Sequence, residues 1–344
     1  MLTLPNHLPS PMGMPKDRIL KLLLQEEYGF LPAAPMSVTA EEVSRNVRFC
    51  AGKAELISLN LTCATEFGDF TFPVCYTKPT RPTEPVPCFI QINFRDLVPD
   101  AYLPSEEIVD NGFAVLSFCY QDVSSDNSDF TTGLSGVVYP NGQRTEDQCG
   151  KIGLWAWAAM RVMDYAMTLP ELDKDHISVC GHSRLGKTAL LAGALDERFF
   201  CAFSNDSGCS GASLSREKEG ETVAKIWNRF PYWFCGNFAK YADHEELLPF
   251  DQHFLLAANM PHRVYVASAA EDLWADPKNE YLSCVAADEY CRALGFSGFI
   301  HPDRLPEIGD SFHEGYIGYH LRAGLHYFSR EDWQNYMAYI RKHM

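Results

Sequence analysis

The sequence contains no long apolar run and no leader-like start. A helix that crosses a bilayer needs about 20 consecutive apolar residues, and no run of that kind is present. Residues 1–7 also lack the basic segment followed by an apolar stretch that marks a secretory leader. We therefore expect a soluble, cytoplasmic protein without a membrane partner.

Positive charge is scarce in this chain. It has 29 Lys and Arg against 45 Asp and Glu, which gives a formal net charge of −16 at pH 7. Nucleic acids and anionic membranes are bound through clusters of Lys and Arg. Because no such cluster occurs, we expect no nucleic-acid partner. The sequence carries no signal for an oligomeric state.

The twelve cysteines are scattered, and no pair has the C-x-x-C spacing of zinc or thioredoxin-like sites. We therefore predict neither a metal site nor a cofactor. Four cysteines lie in apolar segments and are expected to be buried as small hydrophobic residues, namely Cys75, Cys88, Cys119 and Cys180. Cys209 and Cys235 flank the candidate site and have the option of pairing in an oxidising compartment.

The distribution of apolar residues predicts the fold class. With 344 residues and 46% hydrophobic content, the chain can bury one large core, and we expect one catalytic domain over residues 1–344. Residues 88–92 and 113–118 are apolar without alternation, which is typical of strands covered on both faces. Residues 152–167 have the pattern of a long helix. The sequence thus predicts an α/β fold, a three-layer sandwich with a mostly parallel central sheet and helices on both faces.

The first part of the chain has a different pattern. Residues 15–28 have the spacing of an amphipathic helix, and we expect residues 1–45 to form an N-terminal helical flank. Residues 54–62 and 70–76 are rich in strand-forming residues and predict an antiparallel pair.

Two polar segments interrupt the later strands and helices. Residues 120–150 contain glycine and aspartate and are expected to form a loop that lines a cleft. Residues 204–252 carry few strand signals and are interpreted as an insertion near the active site. Both predictions place irregular chain beside the functional residues, where loops commonly carry function.

Residues 181–188 read G-H-S-R-L-G-K-T, which fits two kinds of chemistry. The segment matches the phosphate-binding P-loop pattern G-x-x-x-x-G-K-[ST]. Asp206, at the end of a strand-like run, would then resemble the aspartate that holds Mg²⁺. However, the four intervening residues lack glycine, and about four strand candidates precede the motif, whereas a P-loop usually follows the first strand of its domain.

The same segment also resembles a serine nucleophile elbow, in which Ser183 lies on a sharp turn between a strand and a helix. Alpha/beta-hydrolases carry serine, acid and histidine in that order along the chain, each after a strand. Here Asp272 follows the strand-like residues 263–268, and His326 follows the strand-like residues 316–322. The order of these residues therefore favours a serine hydrolase over a nucleotide hydrolase.

Other histidines compete with His326 for the role of general base. His182 adjoins the serine on the turn, where neighbouring side chains point apart, so we interpret it as a packing residue. His313 precedes the last strand and His320 lies within it. His326 alone follows that strand, which is the position that a catalytic histidine occupies in this fold.

The wider sequence resembles a known family over most of its length. The elbow is similar to the G-x-S-R-x-G-K motif of the glucuronoyl esterases, carbohydrate esterase family 15, in the alpha/beta-hydrolase superfamily, and the similarity is greatest to the bacterial branch. The family pattern also accounts for a glycine at 186 rather than 185. Four further segments match, namely residues 204–209, 220–223, 248–253 and 271–277.

The resemblance implies cleavage of the ester between a glucuronic acid side group of xylan and an alcohol. Ser183 would attack the carbonyl, and His326 would accept its proton. Arg184 would stabilise the oxyanion through its backbone N–H and, as in the family, its side chain. The expected sugar contacts are Lys187, Glu221 and Trp274, with competing interpretations as a solvated helix residue, a surface carboxylate and a core aromatic, respectively.

The acid of the triad has two candidates. Most alpha/beta-hydrolases place it where this chain has Asp272, whereas fungal glucuronoyl esterases use a glutamate after the preceding strand, where this chain has Asp206. We favour Asp272, with Asp206 substituting for it or assisting it. Asparagine at 272 should then lower kcat far more than asparagine at 206.

The expected substrate is a small or oligosaccharide uronate ester, because the leader and carbohydrate-binding module of secreted family members are not seen. Three other functions are considered: an acetylxylan or other small acyl esterase, a P-loop nucleotide hydrolase, and a hydrolase fold retained for binding alone.

Overall fold

The fold is built on one sheet. The computed structural model describes residues 2–344. Within them the sheet has ten strands in the order β1-β2-β3-β5-β4-β6-β7-β8-β10-β9. The strands are β1 (Ser37–Phe49), β2 (Ala54–Thr65), β3 (Gly68–Pro79), β4 (Val86–Asn93), β5 (Ala114–Cys119), β6 (Leu172–His182), β7 (Cys201–Asn205), β8 (Arg263–Ala269), β9 (Ser311–Phe312) and β10 (Ile317–Arg322).

The centre of the sheet is parallel, from β5 through β4, β6, β7 and β8 to β10. Every residue of β4 and of β5 is buried. This confirms the prediction made from the apolar runs 88–92 and 113–118, since strands covered on both faces have no polar side. The predicted antiparallel pair is also confirmed, as β2 and β3 with Leu59 opposite Val74.

Helices cover both faces of the sheet. They are α1 (Lys16–Leu23), α2 (Ser105–Asp110), α3 (Tyr120–Val123), α4 (Gly133–Val138), α5 (Lys151–Ala166), α6 (Arg184–Leu195), α7 (Val223–Arg229), α8 (His253–Ala258), α9 (Pro277–Ala293) and α10 (Arg330–His343). Phe89 of β4 packs with α2 and α10, whereas its neighbours Cys88 and Ile90 belong to the core that contains α5, α6, α8 and α9. The predicted three-layer α/β architecture is therefore confirmed.

The N-terminal region corrects one prediction. Residues 16–28 are helical, with a last turn of π-helix over Leu24–Tyr28. Residues 37–45, however, are not part of a helical flank, because they belong to β1, which pairs antiparallel with β2. All residues of β1 are exposed or half-buried. Strand β1 is stabilised by backbone pairing rather than by burial, so the sequence has no hydrophobic periodicity that would predict it.

The two polar segments contain little regular structure. Residues 120–150 hold the short helices α3 and α4 and a 3-10 turn at Pro140–Gly142. Between β7 and β8 the described chain forms α7, three 3-10 turns and α8.

Burial of the cysteines is confirmed for Cys88, Cys119 and Cys180, whereas the prediction for Cys75 is wrong, because that residue is only half-buried. All twelve cysteines are free, and ten of them are buried. Burial is the main cause that raises the pKa of Cys209 to about 12 and that of Cys235 to about 11. Among the helices of residues 2–344, none is both long and apolar enough to cross a membrane.

Candidate active site

The polar residues of interest lie where four neighbouring strands end. Ser183 follows β6, Asp206 follows β7, Asp272 follows β8 and His326 follows β10. These strands are adjacent and parallel, so their carboxyl ends share one edge of the sheet. This edge is where open α/β sheets bind ligands.

Ser183 occupies a strained turn between β6 and α6. Its φ is 58° and its ψ is −126°, a region that residues other than glycine rarely adopt. Such strain costs about 1–3 kcal/mol and concentrates at functional sites. The turn is tight, because a Cβ atom at Gly181 would lie 2.2 Å from the carbonyl oxygen of Leu185.

The glycine at 186 has a packing reason. A Cβ atom there would lie 3.0 Å from the Cβ of Ser207 and 3.2 Å from the backbone of Asn205, both at the end of β7. Leu185 is fully buried, so the position before the glycine accepts a large apolar side chain. The first turn of α6 therefore packs closely against β7 at residue 186, which accounts for the displaced glycine.

His326 and Asp272 form the hydrogen-bonded pair of the site. The Asp272 Oδ2 and His326 Nδ1 atoms are 2.5 Å apart. The Asp272 side chain is 4% exposed, whereas that of His326 is 42% exposed. Burial by itself would raise the pKa of Asp272, but the hydrogen bond and the charge interaction with His326 outweigh it and hold that pKa below its ordinary value.

The competing histidines lie elsewhere or are packed. His320 accepts or donates hydrogen bonds with Tyr265 and Asp332, and His313 contacts Tyr265. His182 is buried beside His326, with 4.3 Å between ring centroids. Burial, followed by repulsion from His326, lowers the pKa of His182 to about 3, so its ring stays neutral. The structure thus places His182 as a packing residue, as expected.

Asp206 makes different contacts from Asp272. Its Oδ1 accepts a hydrogen bond from the backbone N–H of Ala269 at 2.7 Å, and its Oδ2 accepts one from Arg322 Nη2 at 3.0 Å. Its carboxylate lies within 4.8 Å of the Asp272 and His326 ligand atoms without bonding to His326. Burial, and then repulsion from Glu280 and Asp332, raise the pKa of Asp206 well above its ordinary value, although Arg322 opposes the shift.

Ser183 and His326 line the same open cleft, which has about 550 Å³ of space. In residues 2–344 no hydrogen bond joins the two side chains. Catalytic hydrogen bonds in ligand-free proteins are often long and tighten when substrate binds. The cleft is further lined by Arg184, Lys187, Asp206, Ser207, Gly208, Glu221, Arg229, Phe230, Trp233, Trp274 and Ala275.

Arg184 is fixed in an aromatic cage. Its guanidinium carbon lies 4.7 Å from the ring centre of Trp233, 5.5 Å from that of Phe230 and 5.6 Å from that of Phe94. It also donates a hydrogen bond to Asp126. As the first residue of α6, Arg184 has a backbone N–H without an intrahelical acceptor, at the positive end of the helix dipole.

Asp126 is a site residue that the sequence analysis missed. Its carboxylate also accepts hydrogen bonds from Trp233 Nε1 at 2.7 Å and from the Tyr120 hydroxyl at 2.8 Å. The available signal was coarse, because residues 120–150 were predicted to line a cleft without a particular residue being singled out, and none of them is among the residues that line this cleft. Asp126 connects that loop to the residue after the serine.

Lys187 is buried, so its interpretation as a solvated helix residue is wrong. Its ammonium group donates to the carbonyl oxygens of Ser207 and Cys209, both at 2.5 Å, and lies 3.6 Å from Glu221 Oε2. Glu221 is also buried rather than a surface carboxylate. The ammonium is already bound to two carbonyls, which does not favour the P-loop interpretation, in which this lysine would bind phosphate.

Trp274 is an exposed wall of the cleft, so the core-aromatic interpretation is wrong. Trp274 is 48% exposed, and the Nζ atom of Lys225 lies 5.2 Å from the centre of its ring. An exposed indole plane offers an apolar surface to a ligand that enters the cleft.

A serine on a strained strand-to-helix turn, with a histidine–aspartate pair at the same edge of a parallel sheet, defines the class: this is an alpha/beta-hydrolase. A family model described as glucuronyl esterase of fungi matches residues 61–295. The chain belongs to the glucuronoyl esterase family, carbohydrate esterase family 15, which confirms the resemblance.

Individual relatives agree with this assignment. Carbohydrate esterase MZ0003 from an unknown prokaryotic organism is 41% identical over 241 residues, which cover 70% of this chain and 55% of that protein. The structure of a promiscuous family 15 esterase from a marine bacterial metagenome is 30% identical, with a TM-score of 0.87 over 100% of this chain and 98% of that one. The glucuronoyl esterase of Solibacter usitatus is 28% identical, with a TM-score of 0.88 over 99% and 98% of the two chains.

The curated relatives are longer proteins. The chain spans 55% of the first of them and 57% of each of the next two. Their fold and family apply to this chain.

Proposed function

We propose that the protein is a serine esterase that cleaves esters of glucuronic acid, including 4-O-methyl-glucuronic acid, through an acyl-enzyme. The observation that carries the proposal is the hydrogen bond between His326 and Asp272, in the same cleft as Ser183 on its strained turn. Membership of the glucuronoyl esterase family supports the choice of acyl group.

In the first half of the reaction, Ser183 Oγ attacks the ester carbonyl carbon. His326 Nε2 takes the hydroxyl proton, since Nδ1 is held by Asp272 in the orientation that leaves Nε2 facing the cleft. When the tetrahedral intermediate collapses, the carbon–oxygen bond to the alcohol breaks, and His326 returns the proton to the departing oxygen. The uronate acyl group is then bound to Ser183.

The negative oxygen of the tetrahedral intermediate is stabilised by Arg184. Its backbone N–H at the start of α6 and its caged guanidinium are both held before substrate arrives. Donors that need no rearrangement contribute most to this kind of catalysis, and one such donor is worth about 3–4 kcal/mol. In the second half, His326 takes a proton from the water that attacks the acyl carbonyl, and Arg184 again stabilises the oxyanion. The bond between the acyl carbon and Ser183 Oγ then breaks, His326 returns the proton to that oxygen, and the uronic acid leaves.

The sugar ring of the substrate is assigned to the other side of the cleft. Trp274 offers its exposed indole face to the pyranose ring. Glu221 accepts hydrogen bonds from sugar hydroxyls, and Lys187 contributes a fixed positive charge beside it at 3.6 Å. An acetyl ester would leave all three groups unused.

The decisive experiment compares benzyl or methyl glucuronate with 4-nitrophenyl acetate, using the protein and its Ser183→Ala variant. Preferred hydrolysis of the uronate ester, abolished in the variant, is the expected result. Acetate turnover without uronate turnover would replace the proposal with a small acyl esterase. That second candidate is favoured by the openness of the cleft, in which His326 is 42% exposed.

We also propose a cytoplasmic location and uronate esters of xylan-derived oligosaccharides as substrates. The free cysteines support a reducing compartment, because secreted proteins commonly use their cysteines in disulfides. Fractionation of the native cells, with the protein detected by antibody, tests the location. Recovery from the medium or the cell envelope would contradict it.

A further inference from the structure

Arg322 is a buried arginine that the proposed reaction does not use. It is the last residue of β10, four positions before His326, and it is 3% exposed. Its Nη1 donates to the carbonyl oxygens of Ala323 at 3.0 Å and Leu325 at 3.3 Å, and its Nη2 donates to that of Tyr327. One guanidinium thus holds the loop on both sides of His326.

The other contacts of Arg322 anchor it to the rest of the fold. Its Nε lies 3.1 Å from both carboxylate oxygens of Asp332, at the start of α10, and its Nη2 lies 3.0 Å from Asp206. Asp332 is fully buried and is held in turn by His320 at 2.8 Å. The Arg322 guanidinium is therefore hydrogen-bonded to two carboxylates from different parts of the fold.

Asp206 extends this arrangement to the loop that carries Asp272. Its second oxygen accepts the N–H of Ala269, the last residue of β8 and three positions before Asp272. Asp206 and Arg322 thus connect, through hydrogen bonds, the loop after β8, which carries Asp272, to the loop after β10, which carries His326. Neither Ala269 nor the carbonyls bound by Arg322 contact the reacting atoms.

We propose that Arg322 and Asp206 form a buried positioning pair, which sets the distance between the His326 loop and the Asp272 loop. The inference rests on the proposed function only in that Ser183, His326 and Asp272 act together as a triad. Asp206 then assists the reaction by holding Arg322 and Ala269, and it does not serve as the triad acid.

This role requires the planar guanidinium group of arginine, with its five N–H donors. Lysine would keep the positive charge for Asp206 and Asp332 but has three donors on one nitrogen, which cannot reach both carboxylates and three carbonyls. Arg322→Lys is therefore the informative variant. Misplacement of a catalytic group by about 1 Å can cost about a hundredfold in rate, and we expect a loss between tenfold and that value, ~10–100-fold.

The test measures the rate at which a fluorophosphonate labels Ser183, together with kcat and KM for benzyl glucuronate. Labelling depends on the Ser183–His326–Asp272 assembly whatever ester the cleft accepts, so it stays informative if the uronate ester is not a substrate. Rates are normalised to the fraction of protein that labels at completion. Arg304→Lys is the matched control, because Arg304 makes a similar fork to Asp310 and the Leu305 carbonyl on an exposed loop.

The expected result for Arg322→Lys is slower labelling and a lower kcat at unchanged KM. A structural role alone would lower the labelled fraction and leave the normalised rate unchanged. Wild-type rates in Arg322→Lys, or equal losses in Arg304→Lys, would overturn the proposal.

A second variant protects the test against a failure of Arg322→Lys to fold. Asp206→Asn keeps an acceptor for the Ala269 N–H and removes the charge that grips Arg322. A moderate loss of labelling rate supports the positioning role. A loss as large as that of Asp272→Asn would identify Asp206 as the triad acid and reject the proposal.

Discussion

The carboxylate of Asp126 accepts a hydrogen bond from the guanidinium of Arg184, across 58 residues of chain. The same carboxylate is held by Trp233, whose indole ring packs on that guanidinium. Arg184 therefore reaches the cleft from a fixed position rather than as a flexible surface side chain. Since it follows Ser183 directly, its orientation bears on the oxyanion.

Asparagine in place of Asp126 should reduce activity by loosening Arg184. The amide keeps hydrogen-bonding capacity for Trp233 but loses its charge, so the guanidinium is held less firmly. We expect kcat to fall about tenfold, which is less than the hundredfold or greater loss on removing an oxyanion donor. Asp129→Asn, on the exposed part of the same loop, is the control and should retain wild-type kcat.

The two acids near His326 should differ sharply in their effect. Asp272→Asn removes the partner of His326 Nδ1 and stabilises the wrong tautomer, so kcat should fall about 10³–10⁴-fold. Asp206→Asn should cost much less, since Asp206 does not bond to His326. Steady-state kinetics of both variants on one ester decide the matter, and equal small losses would contradict the assignment of Asp272.

Replacement of Lys187 by methionine should destabilise the fold as well as impair the site. The change leaves the carbonyls of Ser207 and Cys209 without their donor and Glu221 without its buried cation. We expect the free energy of unfolding in urea to fall by about 3 kcal/mol. The exposed Lys174→Met is the matched control, with an expected change within about 0.5 kcal/mol.

Loss of the indole at Trp274 should affect binding of the sugar more than the chemistry. For Trp274→Ala we expect KM for benzyl glucuronate to rise about fivefold, which corresponds to the contact energy of one aromatic face. Trp274→Phe should recover part of this. Turnover of 4-nitrophenyl acetate should not change in Trp274→Ala. The control is Leu273→Ala, at the exposed neighbouring residue, which should leave the kinetics with both substrates unchanged.

The free energy of unfolding should decrease as pH rises, because Glu27 is buried. Burial is the main cause that raises the pKa of this carboxyl from 4.5 to about 7. Between these two pH values the folded protein binds a proton at Glu27 that the unfolded chain has released. The stabilisation that this proton gives the folded state is therefore fully present below pH 4.5 and is lost as pH rises through 7. The loss is on the order of 3 kcal/mol.

Glu27→Gln should therefore flatten the dependence of the free energy of unfolding on pH between 5 and 8. Glu26→Gln, at the partly exposed neighbour that pairs with Lys240, should leave the slope unchanged. Urea denaturation at several pH values makes the comparison, and an unchanged slope in Glu27→Gln would show that Glu27 is not the responsible group.

The sequence was sufficient to predict the central sheet and to place the candidate residues after its strands. Ser183, Asp272 and His326 each follow a strand with a clear apolar pattern, and that pattern reflects burial on both faces. Strand β1 was missed because its residues are exposed or half-buried, so its pairing with β2 leaves no periodic signal.

Contacts between distant residues account for what the sequence did not predict. Asp126 meets Arg184 across 58 residues, and Arg322 meets Asp206 across 116. Neither pair has a fixed spacing or motif, because each contact depends on how loops from different strands converge. For the same reason, the sequence left Asp206 and Asp272 as alternatives, and their hydrogen bonds distinguish them.

The buried thiols also make the protein its own reporter of unfolding. Ten of the twelve cysteines are shielded in the folded chain, and only Cys50 and Cys75 are partly accessible. A thiol-specific dye should thus meet at most two sites on intact molecules and twelve on opened ones. The number of dye molecules per chain then measures how often the protein opens, without an introduced label.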